Sequence, residues 1–112
     1  MIASLAKIDC ARISDWESFH NEFASVFGFP GFYGRNMNAW IDCMTYIDDP
    51  DDGMTSIHCA PGKVLTIELE HVRDFKERCP ELFAAIVECS AFANWRRIEM
   101  GQGPVLALSF HA

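Results

Sequence analysis

The sequence predicts a small α/β domain in which a three-stranded parallel sheet packs with about four helices. Three observations favour this class. The chain has 112 residues, the length of one domain, so residues 1–112 are treated as a single unit. Half of the residues are hydrophobic, which is enough to build a core. Segments with strand character alternate with segments of helical periodicity, and this order implies crossover connections between parallel strands.

The chain begins with a short strand and an aromatic helix. Residues 2–8 supply apolar side chains in loose alternation, which predicts the first strand. Ser14 and Glu17 have the spacing of a capping box, so we expect the first helix to begin at Ser14 and to end at Gly28. Its apolar face would carry Trp16, Phe19, His20, Phe23, Val26 and Phe27.

A glycine-rich aromatic loop follows the first helix. Residues 28–35, GFPGFYGR, contain three glycines, one proline and three aromatic rings, which predicts a sharply turning loop that fixes its rings. Asn36 is expected to cap a second helix. The residues expected on the buried face of that helix are Met37, Trp40, Ile41 and Met44. The opposite face would expose Asn38, Asp42 and Thr45, at i, i+4 and i+7.

The second half of the chain predicts two strands and two helices. Residues 64–69, VLTIEL, are rich in β-branched and apolar side chains and predict a strand. Residues 70–78 predict a short helix, and Pro80 opens a longer one that extends to about residue 97. Residues 105–110, VLALSF, are almost continuously apolar, which predicts a strand that is covered on both faces.

The charge distribution excludes some classes of partner. The net charge is −7, and residues 1–56 hold nine acids and three bases, or −6 of that total. Such a surface repels phosphate backbones, so it argues against nucleic acid and for a basic protein or a cation. The acidic run from Asp48 to Asp52 does not match an EF-hand, because Pro50 takes a ligand position and Cys59 stands where the bidentate Glu belongs.

The cysteines do not form a recognisable framework. There are five, an odd number, without a C-x-x-C pair, which fits a reducing cytoplasm better than an oxidising compartment. A zinc site from Cys10, His58, Cys59 and His71 is an open alternative that lacks paired ligand spacing. Catalytic motifs are absent, and we expect no membrane-spanning segment and no signal peptide.

Residues 32–45, FYGRNMNAWIDCMT, resemble the signature of the barstar family, small intracellular inhibitors of secreted ribonucleases. The family motif runs aromatic-Tyr-Gly-x-Asn, an apolar residue, Asp-Ala-x-x-Asp-x, an apolar residue and Thr. The resemblance implies the α/β fold predicted above, no cofactor and no catalytic residue. It also implies that the loop and the second helix fill the active site of a basic ribonuclease.

The same resemblance implies a set of partner-binding residues. On the loop and the second helix these are Phe32, Tyr33, Gly34, Asn36, Asn38, Ile41, Asp42 and Thr45. Phe32 would cover the catalytic histidine, and Asp42 would bear most strongly on inhibition. Asn38 stands where the family usually has Asp, and Arg35 replaces what is often an acid. Tyr46, Asp48 and Asp49 extend the predicted site into the acidic loop, where carboxylates would compensate for the missing charge.

The sequence therefore predicts a cytoplasmic immunity protein, one half of a toxin–antitoxin pair, that is monomeric when free and blocks a basic ribonuclease. Two alternatives remain at this point. The domain could bind another basic protein, or it could be a small enzyme that uses Cys and His.

Overall fold

A three-stranded parallel sheet and four α-helices make up the computed structural model, which describes all 112 residues. The elements in chain order are β1 (Leu5–Asp9), a 3-10 turn (Cys10–Arg12), α1 (Trp16–Phe27), α2 (Met37–Thr45), β2 (Leu65–Glu70), α3 (Val72–Arg78), α4 (Pro80–Glu99) and β3 (Leu106–Ser109). The predicted fold class is confirmed, and element boundaries differ from prediction by up to three residues.

The strands lie in the order β1-β2-β3, so β2 is central. Ile8 pairs with Leu69 across β1 and β2, and Ile67 pairs with Leu108 across β2 and β3. The prediction that the last strand is covered on both faces is wrong beyond its first residue: Leu106 is buried, but Ala107 and Leu108 are only half-buried and Ser109 is exposed. Spatial order follows chain order, so β3 has one neighbouring strand, and burial decreases along it until Phe110 is 43% exposed.

The aromatic face of α1 forms much of the core. Phe19, Phe23 and Phe27 are fully buried, and the ring of Phe23 meets Trp40 of α2 edge-on at 5.6 Å between centroids. Trp16, predicted on the same face, is 42% exposed because it lies in the first turn, at the end of that face. These rings join α1 to α2 and so fix the position of the loop between the two helices.

The first helix begins one residue later than predicted. Asp15, not Ser14, is its N-cap: the Asp15 carboxylate accepts from the Ser18 backbone N–H at 2.8 Å, and Ser18 Oγ accepts from the Asp15 N–H at 3.1 Å. A capping box thus exists, built by Asp and Ser instead of Ser and Glu. Gly28 ends α1 as expected, in the left-handed conformation at φ 66°.

The cysteines and histidines do not gather into a metal site. All five cysteines are free, and no group of three or more His, Cys, Asp and Glu side chains has an arrangement that could hold a metal ion. The zinc alternative therefore has no support in the structure. None of the helices is both long enough and apolar enough to span a bilayer.

Candidate functional site

The loop between α1 and α2 is held in place by packed rings and one partly buried hydrogen bond. Tyr33 Oη lies 2.6 Å from His20 Nδ1 of α1, and the Tyr33 ring packs on Phe29 at 4.6 Å between centroids. Phe29 in turn stacks on Phe27 at 5.9 Å. Burial lowers the pKa of His20 and raises the pKa of Tyr33, so both groups are neutral at pH 7. Sequence analysis placed His20 beside the core but did not detect this contact.

Arg35 also ties the loop to α1. Its backbone is left-handed at φ 54°, and its guanidinium donates to the Glu17 carbonyl at 3.1 Å and to Asn21 Oδ1 at 2.8 Å. The guanidinium is thus directed toward α1 and fastens the end of the loop to that helix. It also contributes, after burial, to the lowered pKa of His20.

Phe32 is the exposed tip of this fixed loop. Its side chain is 76% exposed, although the neighbouring Tyr33 is held against α1. Gly34 follows, and its carbonyl accepts a 3.2 Å hydrogen bond from Asn36 Nδ2. Asn36 Oδ1 accepts from the Ala39 N–H at 2.8 Å, so Asn36 caps α2 as predicted. The result is a large apolar ring presented to solvent on a fixed backbone.

The outward face of α2 is shorter than predicted. Asn38 and Asp42 are exposed, and the Asp42 side chain is 54% exposed. The predicted exposure of Thr45 is wrong, because Thr45 is fully buried and its Oγ1 donates to the Ile41 carbonyl at 2.6 Å. Ile41 is buried as its place on the inner face of α2 predicts. The end of α2 is covered because α4 packs against it, and Arg97 donates to the Thr45 carbonyl at 3.1 Å.

Two arginines of α4 neutralise two acids of the predicted site. Arg96 Nη1 donates to Asp42 Oδ1 at 2.8 Å, and this pair is partly exposed. Arg97 binds both carboxylate oxygens of Asp48, at 2.8 and 2.6 Å, and this pair is buried, with side chains 7% and 11% exposed. Asp48, which was predicted as a partner-binding residue of the acidic loop, therefore has its carboxylate directed toward α4 and largely shielded from solvent. Its carboxylate joins the end of α2 to α4.

Neither arginine was predicted from the sequence, although one signal was present. Residues 36–53 contain five acids and no Lys or Arg, while Arg96 and Arg97 stand together near the end of the long helix. Charge balance suggests that such groups meet, but it does not say which acid pairs with which arginine. The two arginines leave a net charge of −3 from the five acids (−5 + 2), so the acidic field is weaker than the sequence alone indicates.

The acidic loop after α2 keeps three carboxylates without an ion pair: Asp49, Asp51 and Asp52. Asp49 Oδ1 accepts from the Asp51 N–H at 3.0 Å, which shapes the turn. Burial, together with the nearby charge of Asp49, raises the pKa of Asp52. Tyr46, the C-cap of α2, is 37% exposed at the edge of this loop.

The predicted site residues thus divide into two groups. The residues that present a side chain to solvent are Phe32, Asn38, Asp42, Tyr46 and Asp49. The residues that hold the scaffold are Tyr33, Asn36, Ile41, Thr45 and Asp48. Gly34 is exposed and has no side chain to contribute. The structure places Phe32 on the loop, and Asn38 and Asp42 on the outer face of α2. We call these three residues the inhibitory surface, after the role that the sequence resemblance predicts for them.

Comparison with known proteins agrees with this arrangement. The family model described as Barstar (barnase inhibitor) matches residues 3–105, from the start of the chain to the beginning of β3. No curated protein matches the chain. Because the family match covers nearly the whole domain, including the loop and all four helices, the chain belongs to the barstar family.

Proposed function

We propose that this protein inhibits a basic ribonuclease of the barnase type by placing the inhibitory surface in the active site of the nuclease. The observation that carries the proposal is that Phe32 is exposed on a fixed loop and Asp42 is exposed on the helix that follows this loop, in a chain of the barstar family. An exposed ring and an exposed carboxylate on adjoining elements suit a cleft that binds a base and a phosphate.

The fixed loop supports tight binding. Tyr33 is hydrogen-bonded to α1, Arg35 is fastened to the same helix, and Asn36 caps α2. These contacts fix the backbone that follows Phe32, and on the preceding side the Phe29 ring packs on Phe27 and Tyr33. Little conformational entropy is lost on docking, and an aromatic anchor of this kind contributes strongly at the centre of an interface.

Asp42 supplies a negative charge that can bind the cationic cleft of a nuclease. Its carboxylate is half exposed, and one oxygen is held by Arg96 at 2.8 Å. A carboxylate has two oxygens and about four acceptor sites, so a guanidinium of the nuclease can bind it in addition to Arg96 or in its place. The chain carries −7 overall, which favours rapid encounter with a basic enzyme at low salt.

The proposed role is that of a cytoplasmic immunity protein, monomeric when free, that protects the producing cell from its own toxin. Such an inhibitor requires no cofactor. The Cys and His enzyme alternative has little support, because burial raises the pKa of Cys10 to about 12 and of Cys43 to about 11. Thiols of this kind are poor nucleophiles near pH 7.

An inhibition titration tests the proposal. Barnase, and any small basic nuclease encoded beside the gene, would be titrated with the inhibitor at low and high salt. We expect stoichiometric inhibition that weakens as salt rises. Phe32→Ala and Asp42→Asn should each weaken inhibition by roughly 30-fold, the value typical of an interface hot spot.

Asp51→Asn is the matched control for Asp42→Asn. Asp51 is exposed and unpaired, and the substitution removes the same charge from the same half of the chain. It should change inhibition by less than about threefold, since a rim charge acts mainly through the association rate. Failure to inhibit any nuclease of the panel would refute the proposal.

A second candidate function is capture of a different basic protein. Asn38 stands where the family usually carries an acid, so this chain offers less negative charge on α2 than the family pattern implies. Salt-sensitive binding to a basic protein that lacks nuclease activity, with no inhibition of the panel, would favour this candidate.

A further inference from the structure

The exposed acid of the inhibitory surface is paired with a cation of its own chain. Arg96 Nη1 donates to Asp42 Oδ1 at 2.8 Å, across the contact between α4 and α2. The Arg96 and Asp42 side chains are 34% and 54% exposed, so the pair lies at the surface and a partner can reach it. Asp42 Oδ2 forms no hydrogen bond within the chain. In the free protein, one of the two Asp42 oxygens is therefore occupied.

The next residue, Arg97, holds this part of α4 against α2. Arg97 binds both carboxylate oxygens of Asp48, at 2.8 and 2.6 Å, and donates to the Thr45 carbonyl at 3.1 Å. These bonds are largely buried, and they fasten α4 to the end of α2. The backbone at Arg96 is thus fixed beside α2, so its guanidinium stands next to Asp42 before a partner arrives.

The pair leaves the inhibitory surface without local net charge, although the whole chain carries −7. Phe32 and Asn38 are neutral, and Arg96 balances Asp42. A cationic cleft that approaches Asp42 must also approach Arg96, and like charges that meet across an interface reduce affinity. A guanidinium of the partner binds most strongly when its fork reaches both oxygens of a carboxylate, but here Oδ1 is taken.

We infer that Arg96 is a specificity-determining residue, which competes with the nuclease for Asp42 and so lowers the affinity of the inhibitory surface for cationic clefts. The inference rests on the proposed function and extends it. A nuclease must displace the Arg96 guanidinium or share Asp42 with it. A cleft that presents an arginine fork loses most, because it needs both oxygens, whereas a cleft that presents a single donor can use Oδ2. Arg96 thus restricts the range of nucleases that the chain inhibits.

Inhibition constants of the Arg96→Gln variant test the inference. Barnase and any small basic nuclease encoded beside the gene are the probes. We expect the variant to inhibit about 10-fold more tightly than the wild type at low salt, and this gain should shrink as salt rises. A residue that merely supported α4, or that contacted the nuclease favourably, would weaken inhibition when removed. The pair is partly exposed, so Tm should fall by less than about 4 °C.

Two further variants are the matched controls. Arg73→Gln removes the same charge from α3, where Arg73 is exposed and forms no ion pair, and it should change inhibition by less than about threefold. Arg96→Lys keeps a positive charge beside Asp42 and should also stay within about threefold of the wild type. The second control separates the charge of Arg96 from the packing of its long side chain.

The outcomes separate the inference from the proposed function. If Arg96→Gln inhibits no more tightly than the wild type while Phe32→Ala weakens inhibition, the inference is overturned and the proposed function stands. If Arg73→Gln or Arg96→Lys tightens inhibition as much as Arg96→Gln, the local charge is not the cause and the inference is again overturned. If neither the wild type nor Arg96→Gln inhibits any nuclease, both fall. Inhibition by Arg96→Gln of a nuclease that the wild type leaves active supports the inference directly.

Discussion

Replacing Asp48 by Asn should destabilise the fold, because its carboxylate is the buried partner of Arg97. The two side chains are 11% and 7% exposed and share two hydrogen bonds, at 2.8 and 2.6 Å. Removing one member of such a pair leaves an uncompensated buried charge, which costs about 3–5 kcal/mol. Arg97 would keep its 3.1 Å bond to the Thr45 carbonyl and at most one bond to the Asn oxygen, and its Nε is already without a partner. We expect Asp48→Asn to lower the unfolding free energy by about 3 kcal/mol, at the lower end of this range, since Asn retains one acceptor oxygen.

This loss is large enough to measure by two methods. An unfolding entropy of about 2.1 cal/mol/K per residue gives about 0.24 kcal/mol/K for a chain of 112 residues, so Tm should fall by roughly 13 °C. Urea denaturation followed by tryptophan fluorescence should show the same loss of unfolding free energy. Asp49→Asn is the control, because Asp49 is exposed and forms no ion pair, and it should change stability by less than about 0.5 kcal/mol.

The reasoning would be refuted if Asp48→Asn lowered the unfolding free energy by less than about 1 kcal/mol. Weaker binding of the nuclease by a variant of wild-type stability would instead make Asp48 a direct partner contact, as the sequence first suggested. The two roles are thus separated by measuring stability and inhibition on the same preparation.

Three further predictions concern pH, thiol reactivity and the end of α1. Burial lowers the pKa of His20 below its ordinary 6.5, so the unfolded chain binds the proton more readily than the folded chain. The unfolding free energy measured in urea should therefore be constant above pH 6.5 and fall as the pH decreases below it. A flat profile from about pH 7 to 5.5 would contradict this. Cys10 is fully buried with a pKa of about 12, so a thiol reagent should label it slowly in the native protein and rapidly in denaturant. Fast labelling of the native protein would instead support the enzyme alternative. Gly28→Ala should lower the unfolding free energy by more than about 1 kcal/mol, because Gly28 has φ 66° and an added Cβ would collide with the Ser56 side chain. Gly53→Ala should lower it by less, because Gly53 has φ 74° but open space around it. Equal losses of stability in thermal unfolding would exclude the collision.

Most of the fold could be predicted from local patterns in the chain. The periodic aromatic residues of α1, the cap at Asn36 and Pro80 at the start of α4 act through neighbours within one or two helical turns. The capping box of α1 was predicted one residue early because Ser14 and Asp15 are both good N-caps. The choice depends on whether the Ser14 hydroxyl accepts from the Glu17 N–H or the Asp15 carboxylate accepts from the Ser18 N–H, and the structure has the second.

Part of the candidate site could be predicted in the same way. The motif from Phe32 to Thr45 indicated the loop, the helix and the exposed acid Asp42, all of which lie within 14 consecutive residues. The exposure of Phe32 and the cap at Asn36 follow from the same short segment. What the motif did not indicate is which of its polar residues face solvent once the rest of the chain is packed around them.

Local sequence thus determined the elements, their order and the acidic, aromatic character of one surface. Tertiary structure alone decided that Thr45 is buried, that the Asp48 carboxylate is largely enclosed against Arg97, that Asp42 is held by Arg96, and that β3 lies at the edge of the sheet. The physical reason is distance along the chain. Arg96 and Arg97 stand about fifty residues from the acids they bind, and only the packing of α4 on α2 brings them together.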